Sequence, residues 1–570
     1  MKTVQSILKS YWGYDSFRPQ QLAVIEAVLE KKDTLALLPT GAGKSICFQV
    51  PTLLEEGICL VISPLIALMQ DQVKDLQSKN ISAIALGSHL SEEAQAEVMA
   101  AAKRGKYKFI YCSPEKLAQK QFQEDLVEVK ITLFAIDEAH CISQWGYDFR
   151  PPYRKLSILK ELFPQTPILA ITASAIPAVQ EDIQKQLAFK NGIRITDSFL
   201  RPNLKYSIQK SSVKIHSLKH LLQNVDGACI IYCNTRNNVS ELAQLLKDYG
   251  YAVGAYHAGM SLEARKQVQD HWMEDKTPIV VCTSAFGMGI NKGNVRLVVH
   301  FDIPGSIEQY YQEAGRAGRD GKASEAILLY QQNDWEYWLQ VQEKKYPPIE
   351  SIKKIYQNLA DFVQLPIGIG EKQQFLFDFE NFCTFFKWDK IIARNALNWI
   401  QQEGHVRFAE SAFTPSMVQV LGDRYTIENF QNTKPEAGAV LQTLLRTYGG
   451  ILDSPHFINE RLLAELLQRD VPFVIEHLKI LEMHGLISFE QKQSQPVVQF
   501  QWNRSAASFM KIDFDHYQLM KKAFITRIQQ FIGYLQGQPA ICRSIYLAKY
   551  FGEKAAKPCG ICDICASTKD

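Results

Sequence analysis

At 570 residues, and at roughly 150 residues per domain, the chain is too long for one core and divides into about four units. Its 63 basic and 60 acidic residues leave a formal net charge of +3, which excludes attraction to nucleic acid by bulk charge and confines any such contact to local basic patches. The N-terminus, MKTVQSILKSYWGYDS, has no apolar stretch of signal-peptide length, and the most apolar run, ICLVISPLIALM, is too short to cross a bilayer. A cytoplasmic protein with no membrane partner is expected.

From residue 1 to about 335, short apolar β-type runs alternate with amphipathic helical stretches. The runs are TLALLP, CLVISP, KFIYCSP, LFAIDEA and ILAITAS, then ACIIYCN, YAVGAYH, IVVCTS and LVVHFD. The pattern predicts an α/β fold of two parallel-sheet lobes, 1–200 and 201–335, divided near FLRPNLKYSI, with a ligand cleft at the carboxyl ends of the strands. In the first lobe LPTGAGKS (38–45) follows a strand and opens a helix. Thr40, Gly41, Ala42, Gly43 and Lys44 suit a phosphate loop: the glycines let backbone N–H groups approach, Lys44 reaches the β/γ oxygens, and Ser45 can hold Mg²⁺. A strict pattern would have glycine at Leu38. IDEAH (136–140) supplies the second half, with Asp137 for the Mg²⁺ shell and Glu138 to orient or deprotonate water; His140 closes the box and is counted with the catalytic set. The box runs directly into CISQWGYDFRP, where Trp145, Phe149 and Arg150 suit stacking on bases and holding phosphate, so one loop would join a fuel site to a nucleic-acid site.

In the second lobe QEAGRAGRDG (312–321) carries Arg316 and Arg319, three residues apart, which we expect on one face of a helix and projecting across the cleft as arginine fingers. Beyond Tyr330 the texture becomes mainly helical. LNWIQQEGHVRF (397–408) and LKILEMHGLISF (478–489) match apolar for apolar around Gly404 and Gly485, each preceded by two helical segments and followed by a β-type stretch. Two winged-helix-like units in tandem, 345–425 and 430–505, are expected. Of twelve cysteines, eight are scattered singly, as reduced core thiols would be. Cys542, Cys559, Cys562 and Cys565 cluster as C-x16-C-x2-C-x2-C, a closed tetrahedral set for structural Zn²⁺ in a helical module at 510–570. The core of the lobes is expected not to depend on this tail.

Taken in order, YDSFRPQQ, LPTGAGKS, SPLIALMQDQV, YCSPE, DEAHCISQWGYDFRP, AITASA, IIYCNTR, AYHAGM, TSAFGMGINKGNVR and YYQEAGRAGRDG are similar to a superfamily 2 helicase and, more narrowly, the chain resembles the RecQ family. The resemblance covers about the first 335 residues, and YFGE with CGICDIC extends it to the zinc module. It implies two RecA-like lobes and a 3′ to 5′ DNA helicase driven by ATP and Mg²⁺, acting in repair or recombination on single-stranded and forked DNA. Single-strand-binding and repair proteins are candidate partners. It further implies Arg18 and Gln21 at the adenine, Thr172 in the coupling motif, Arg316 and Arg319 facing the γ-phosphate, and a DNA-sensing role for residues 141–151. Tyr147, Ala42, Gln20 and Gly293 depart from the family pattern. In the family the zinc module directly follows the lobes; here about 170 residues intervene, and after Cys565 only ASTKD remains, so no further C-terminal segment is expected. Two other readings compete: a nucleic-acid-stimulated ATPase that acts on RNA or remodels without unwinding, and a winged-helix DNA-binding protein with inactive lobes.

Overall fold

The computed structural model describes residues 3–87, 92–146, 150–223, 225–287, 290, 292–409, 416–422, 426–427, 430, 433–448, 450–452, 455–490, 496–554 and 557–567. The chain forms two compact units, one of residues 1–340 with 518–570, the other of 341–517.

In the first unit one lobe carries β1 (Thr34–Leu37), β2 (Ile58–Ile62), β3 (Ala83–Leu86), β4 (Phe109–Cys112), β5 (Ile131–Ile136), β6 (Ile168–Thr172) and β7 (Ile193–Thr196), in the order β3-β4-β2-β5-β6-β1-β7. Every pairing is parallel. Alternate residues serve opposite faces: Leu35, Leu60 and Ile110 enter one core, Ala36, Val61 and Phe109 the other. Burial on both faces is why these strands read as continuous apolar runs rather than alternating ones. The second lobe carries β8 (Leu204–Lys210), β9 (Ala228–Tyr232), β10 (Val253–Tyr256), β11 (Ile279–Cys282), β12 (Val295–His300) and β13 (Ser324–Tyr330), again all parallel, in the order β10-β11-β9-β12-β13-β8. The two parallel-sheet lobes bear out the expected fold class.

The tail overturns one expectation. Phe531, Tyr534, Leu535, Leu547, Ala548 and Phe551 belong to the same buried cluster as residues of both lobes. Phe551 stacks on Phe199, with centroids 4.8 Å apart, and Tyr311 lies 4.9 Å from it. Glu553 accepts hydrogen bonds from Ser198 Oγ and Phe199 N, both 2.9 Å, and Asp563 Oδ2 accepts from Ile208 N of β8 at 3.1 Å. The core of the lobes therefore does include the tail. Its aromatic side chains cover Phe199, Tyr206, Tyr310 and Tyr311, rings that are all buried in the folded chain.

In the second unit, three helices (Ile349–Phe362, Phe379–Phe386, Lys390–Gln402) are joined by a sheet of β14 (Gln374–Leu376), β15 (Val406–Ala409) and β19 (Val497–Phe500), ordered β14-β19-β15. Between β15 and β19 come β16 (Met417–Val420), β17 (His456–Phe457) and β18 (Ile487–Glu490), ordered β17-β16-β18, with helices Pro435–Thr447, Glu460–Leu467 and Val471–Met483. Each set is three helices with a three-stranded sheet, and the two sets are not in tandem. β16, the strand that follows β15, pairs with β18, and β19, the strand that follows β18, pairs with β15, all antiparallel. Each wing thus takes its central strand from the stretch that sequence order assigns to the other. HVRF, MVQV, LISF and VVQF share one alternation of apolar residues, so the side-chain pattern alone does not choose which strands pair. No helix among the described residues is long and apolar enough to cross a membrane.

Candidate nucleotide site and zinc centre

Three neighbouring strands end at one place. β1 runs into the phosphate loop, β5 into Asp137 and Glu138, and β6 ends on Thr172. Gly41 and Gly43 sit in the left-handed region, at φ 82° and 73°, and turn the loop back into the helix Ile46–Leu54. Across the cleft stands the segment after helix Ile307–Ala314. A cavity of about 900 Å³ is lined by Arg18, Gln21, Thr40, Gly41, Gly43, Lys44, Ser45, Asp137 and Glu138 of the first lobe and by Gln312, Arg316 and Arg319 of the second. Ala42 does not line it, although its carbonyl accepts from Gln21 Nε2 at 2.7 Å. Gln21 Nε2 also donates to Gly43 O at 3.2 Å, and Arg18 Nη1 donates to Gly41 O at 2.9 Å. Tyr11, Trp12 and Tyr14 also line the cavity beside these two. The sequence reading missed them; their signal was an aromatic cluster just before FRPQQ.

Burial, reinforced by the Glu138 carboxylate and opposed by Lys44, pushes Asp137 up to about 6. For Glu138, burial works in the same direction, but the summed fields of Lys44, His140, Arg316 and Arg150 outweigh it and hold the carboxylate below its ordinary range. Glu138 Oε2 is buried and accepts no hydrogen bond among the described residues; it lies 3.4 Å from His140 Nδ1. His140 Nδ1 is in turn 2.8 Å from Thr172 Oγ1. Ser174 N donates to Thr172 Oγ1 at 3.3 Å, and Gln312 Nε2 donates to Ser174 Oγ at 2.6 Å, which carries the chain of bonds into the second lobe.

Arg316 and Arg319 are not on a helix face. The helix ends at Ala314; Arg316 N and Ala317 N bond three residues back, to Glu313 O and Ala314 O, and Gly318, at φ 61°, donates instead to Val295 O. Small residues at 315, 317 and 318 let the chain turn away from the helical ladder while staying packed. The arginines thus stand on turns. Arg316 donates to Gly287 O, and Arg319 Nη1 donates to Ile290 O at 2.6 Å. Burial, with the like charge of Arg316, pulls Arg319 down to about 9, so it remains a cation at neutral pH.

Of the loop after the acid box, Phe149 and Tyr147 lie outside the described residues. Trp145 is half-buried and packs against the core shared by the lobes, and its carbonyl accepts from Arg527 Nη1 of the tail at 2.7 Å. Arg150 donates to Pro64 O at 3.1 Å, just past β2.

The four cysteine sulfurs all lie within 4.8 Å of one another, with Cys542 to Cys559 at 3.4 Å and Cys542 to Cys562 at 3.9 Å. Zn–S bonds of about 2.3 Å in a tetrahedron require about 3.8 Å between sulfurs, so the set fits zinc. Backbone N–H groups of Cys559, Arg543 and Cys565 donate to these sulfurs at 3.2–3.5 Å, as thiolates favour. Arg543 grips Asp563 through two bonds of 3.0 Å, which ties the first residue of the helix Arg543–Tyr550 to the first of the helix Asp563–Ser567.

The DEAD/DEAH box helicase family matches residues 18–183, the helicase conserved C-terminal domain 213–321, the RecQ helicase winged-helix domain of Bacteroidota 418–491, and RecQ zinc-binding 505–566. The ATP-dependent DNA helicase RecQ of Haemophilus influenzae is 46% identical over 355 residues, covering 62% of this chain and 57% of that protein. The probable ATP-dependent DNA helicase RecS of Bacillus subtilis is 38% identical over 388 residues, 65% of this chain and 78% of that protein. This chain belongs to the RecQ family. It spans less than two thirds of the length of the Haemophilus relative. The RecQ winged-helix match coincides with the inserted unit rather than with the first one. Among solved structures, the DUF1998 helicase MrfA bound to DNA aligns with a TM-score of 0.50 at 19% identity, over 60% of this chain and 54% of that one, a likeness of fold. Family and cysteine geometry together make Zn²⁺, ATP and Mg²⁺ the groups this chain holds.

Proposed function

We propose that this chain is a cytoplasmic ATP-dependent helicase that moves 3′ to 5′ on single-stranded DNA and parts forked duplexes in repair or recombination, alongside single-strand-binding and repair proteins. The observation that carries the reading is the single cavity in which Lys44, Ser45, Asp137 and Glu138 meet Gln312, Arg316 and Arg319 of the other lobe. Lys44 binds the β/γ-phosphate oxygens, and Ser45 with Asp137 would hold Mg²⁺, which would supply neutralisation of phosphate charge. Arg18 and Gln21 bind the adenine. Glu138 Oε2 takes the proton of the attacking water, kept ionised by the cations around it and oriented by the His140–Thr172 pair. Arg316 and Arg319 exchange the carbonyls of Gly287 and Ile290 for the γ-phosphate as charge accumulates there.

The coupling to DNA runs through the loop at 141–151. Trp145 and Phe149 stack on bases, and Arg150 passes the displacement to Glu138, in whose field it already stands. The test is ATP turnover with and without single-stranded DNA, followed by unwinding of 3′-tailed DNA, 5′-tailed DNA and RNA forks. Stimulation by DNA and opening of the 3′-tailed DNA fork are expected. Equal opening of the RNA fork would favour the RNA-acting alternative, and turnover without unwinding of any fork would favour remodelling.

A further inference from the structure

Arg201 lies in the connection between β7 and β8 and does not line the nucleotide cavity. Its guanidinium nevertheless gathers the backbone on both sides of the cleft. Nη1 donates to Gly315 O at 3.2 Å and to Thr40 O of the phosphate loop at 3.5 Å; Nη2 donates to Ala317 O at 2.9 Å and Gly318 O at 3.0 Å. Asn203 Nδ2 adds bonds to Gly318 O at 2.8 Å and Lys322 O at 2.9 Å.

The carbonyls of Gly315, Ala317 and Gly318 belong to the turn that carries Arg316 and Arg319. They follow the helix end at Ala314, outside its ladder, where a cation is favoured both as a donor and by the helix dipole. A planar guanidinium can serve several converging carbonyls at fixed angles, which an ammonium cannot. The packing leaves no slack: a Cβ on Gly318 would stand 2.5 Å from Asn203 Nδ2, and one on Gly315 would stand 2.1 Å from Thr40 Oγ1. The cost is a third guanidinium close to two others, since the charge of Arg201 is among those that oppose protonation of Arg319. A merely structural clasp could be made with neutral groups.

We propose that Arg201 is a positioning residue for hydrolysis, which locks the arginine-bearing turn 315–319 to the phosphate loop and so sets the aim of Arg319 at the γ-phosphate. The proposal rests on the reading that Arg319 acts there. The experiment measures kcat and KM for ATP at saturating single-stranded DNA, with melting temperature, for the full chain and for Arg201→Gln, Arg201→Lys, Asn203→Ala, Arg319→Ala and the double variant Arg201→Gln/Arg319→Ala. Arg201→Gln is expected to lose about 10- to 100-fold in kcat, the scale of a misaimed catalytic group, with KM within about twofold. Arg201→Lys should not restore it, and the double variant should be no slower than Arg319→Ala. Should Arg201→Gln fail to fold, Asn203→Ala carries the test, with a smaller loss in kcat at constant KM. Near-wild-type kcat in the Arg201 variants beside a slow Arg319→Ala, or losses that multiply in the double variant, would overturn the proposal and leave the role of Arg319 standing. Full turnover in Arg319→Ala would remove that role, and this proposal with it.

Discussion

Lys44 shows how far a single side chain can be read. Its place on the phosphate loop was legible because glycines, a lysine and a serine after an apolar strand have few other uses, and it lines the cavity with both carboxylates. Lys44→Ala is expected to cut turnover by roughly 100-fold or more, the scale of removing one transition-state donor, while single-stranded DNA binding and melting temperature hold. A turnover assay on the purified variant checks it, and wild-type rates would sink the site. Trp145 was harder. Its type suggested stacking on a base, but the structure packs it, half-buried, against the core and ties its carbonyl to Arg527, 382 residues away in sequence. No local pattern encodes such a partner. Base stacking is worth about 1–3 kcal/mol, so Trp145→Ala should remove most of the stimulation by single-stranded DNA and leave DNA-free hydrolysis nearly unchanged. Some loss of melting temperature should accompany it, below the roughly 3–5 kcal/mol of a fully buried tryptophan. A large drop in stability with the stimulation ratio intact would make Trp145 a packing residue only.

At the scale of elements, the nine apolar runs read from the sequence are all strands, and three of the four missed in the lobes are sheet edges. β3 and β7 are sheet edges, β7 half-exposed in alternation, and β8, LKYSIQK, is the edge of the second sheet. Strands buried on both faces announce themselves most readily as apolar runs, although β13, SEAILLY, is interior and was missed as well, and the edge strand β10 was read. The arginine turn was misread as a helix because a three-residue spacing fits both; the ladder stops at Ala314, and Gly318, with its left-handed φ, then carries the chain over to Val295. The wings were misordered for another reason. All four strands carry the same apolar alternation, and pairing is a long-range choice that no strand states by itself. The exchange makes a prediction. Excising 416–490 and joining β15 to β19 by a short turn should leave the three-helix unit of 349–409 folded, because β14-β19-β15 stays whole and an antiparallel pair needs only a tight connection. Deleting residues 497–500 from the full chain removes β19, the strand between β14 and β15, while keeping the tail, and should unfold the three-helix unit of 349–409. Helicity and limited proteolysis of the two variants separate these outcomes; equal stability in both would mean that each wing can close on its own strand.

For the whole molecule, the four cysteines announced their metal but not what the metal holds. Their spacing gives the ligands, whereas the aromatic contacts of the tail lie hundreds of residues away and have no signature in sequence. Read alone, the last sixty residues would unfold without zinc and leave the lobes intact. The structure argues for a wider loss. Cys542 begins the helix that carries Leu547 and Ala548 and leads to Phe551, and these side chains close the core over Phe199, Tyr206, Tyr310 and Tyr311. Metal-binding energy in a small module is folding energy, so releasing the site frees this helix and exposes those rings. Tyr311 belongs to the helix that leads into the arginine turn, and Phe199 to the connection that carries Arg201. Cys562→Ser is therefore expected to lower the melting temperature of the whole first unit and to remove ATP turnover even without DNA. Phe551→Ala, which leaves the thiolates in place, should keep one zinc per chain and still destabilise by about 3–5 kcal/mol, as for a buried aromatic ring. Metal analysis, thermal melting and DNA-free turnover on the two variants decide the matter. A Cys562→Ser protein that has lost its zinc yet melts and hydrolyses ATP as the wild type does would show that the lobes stand without their tail.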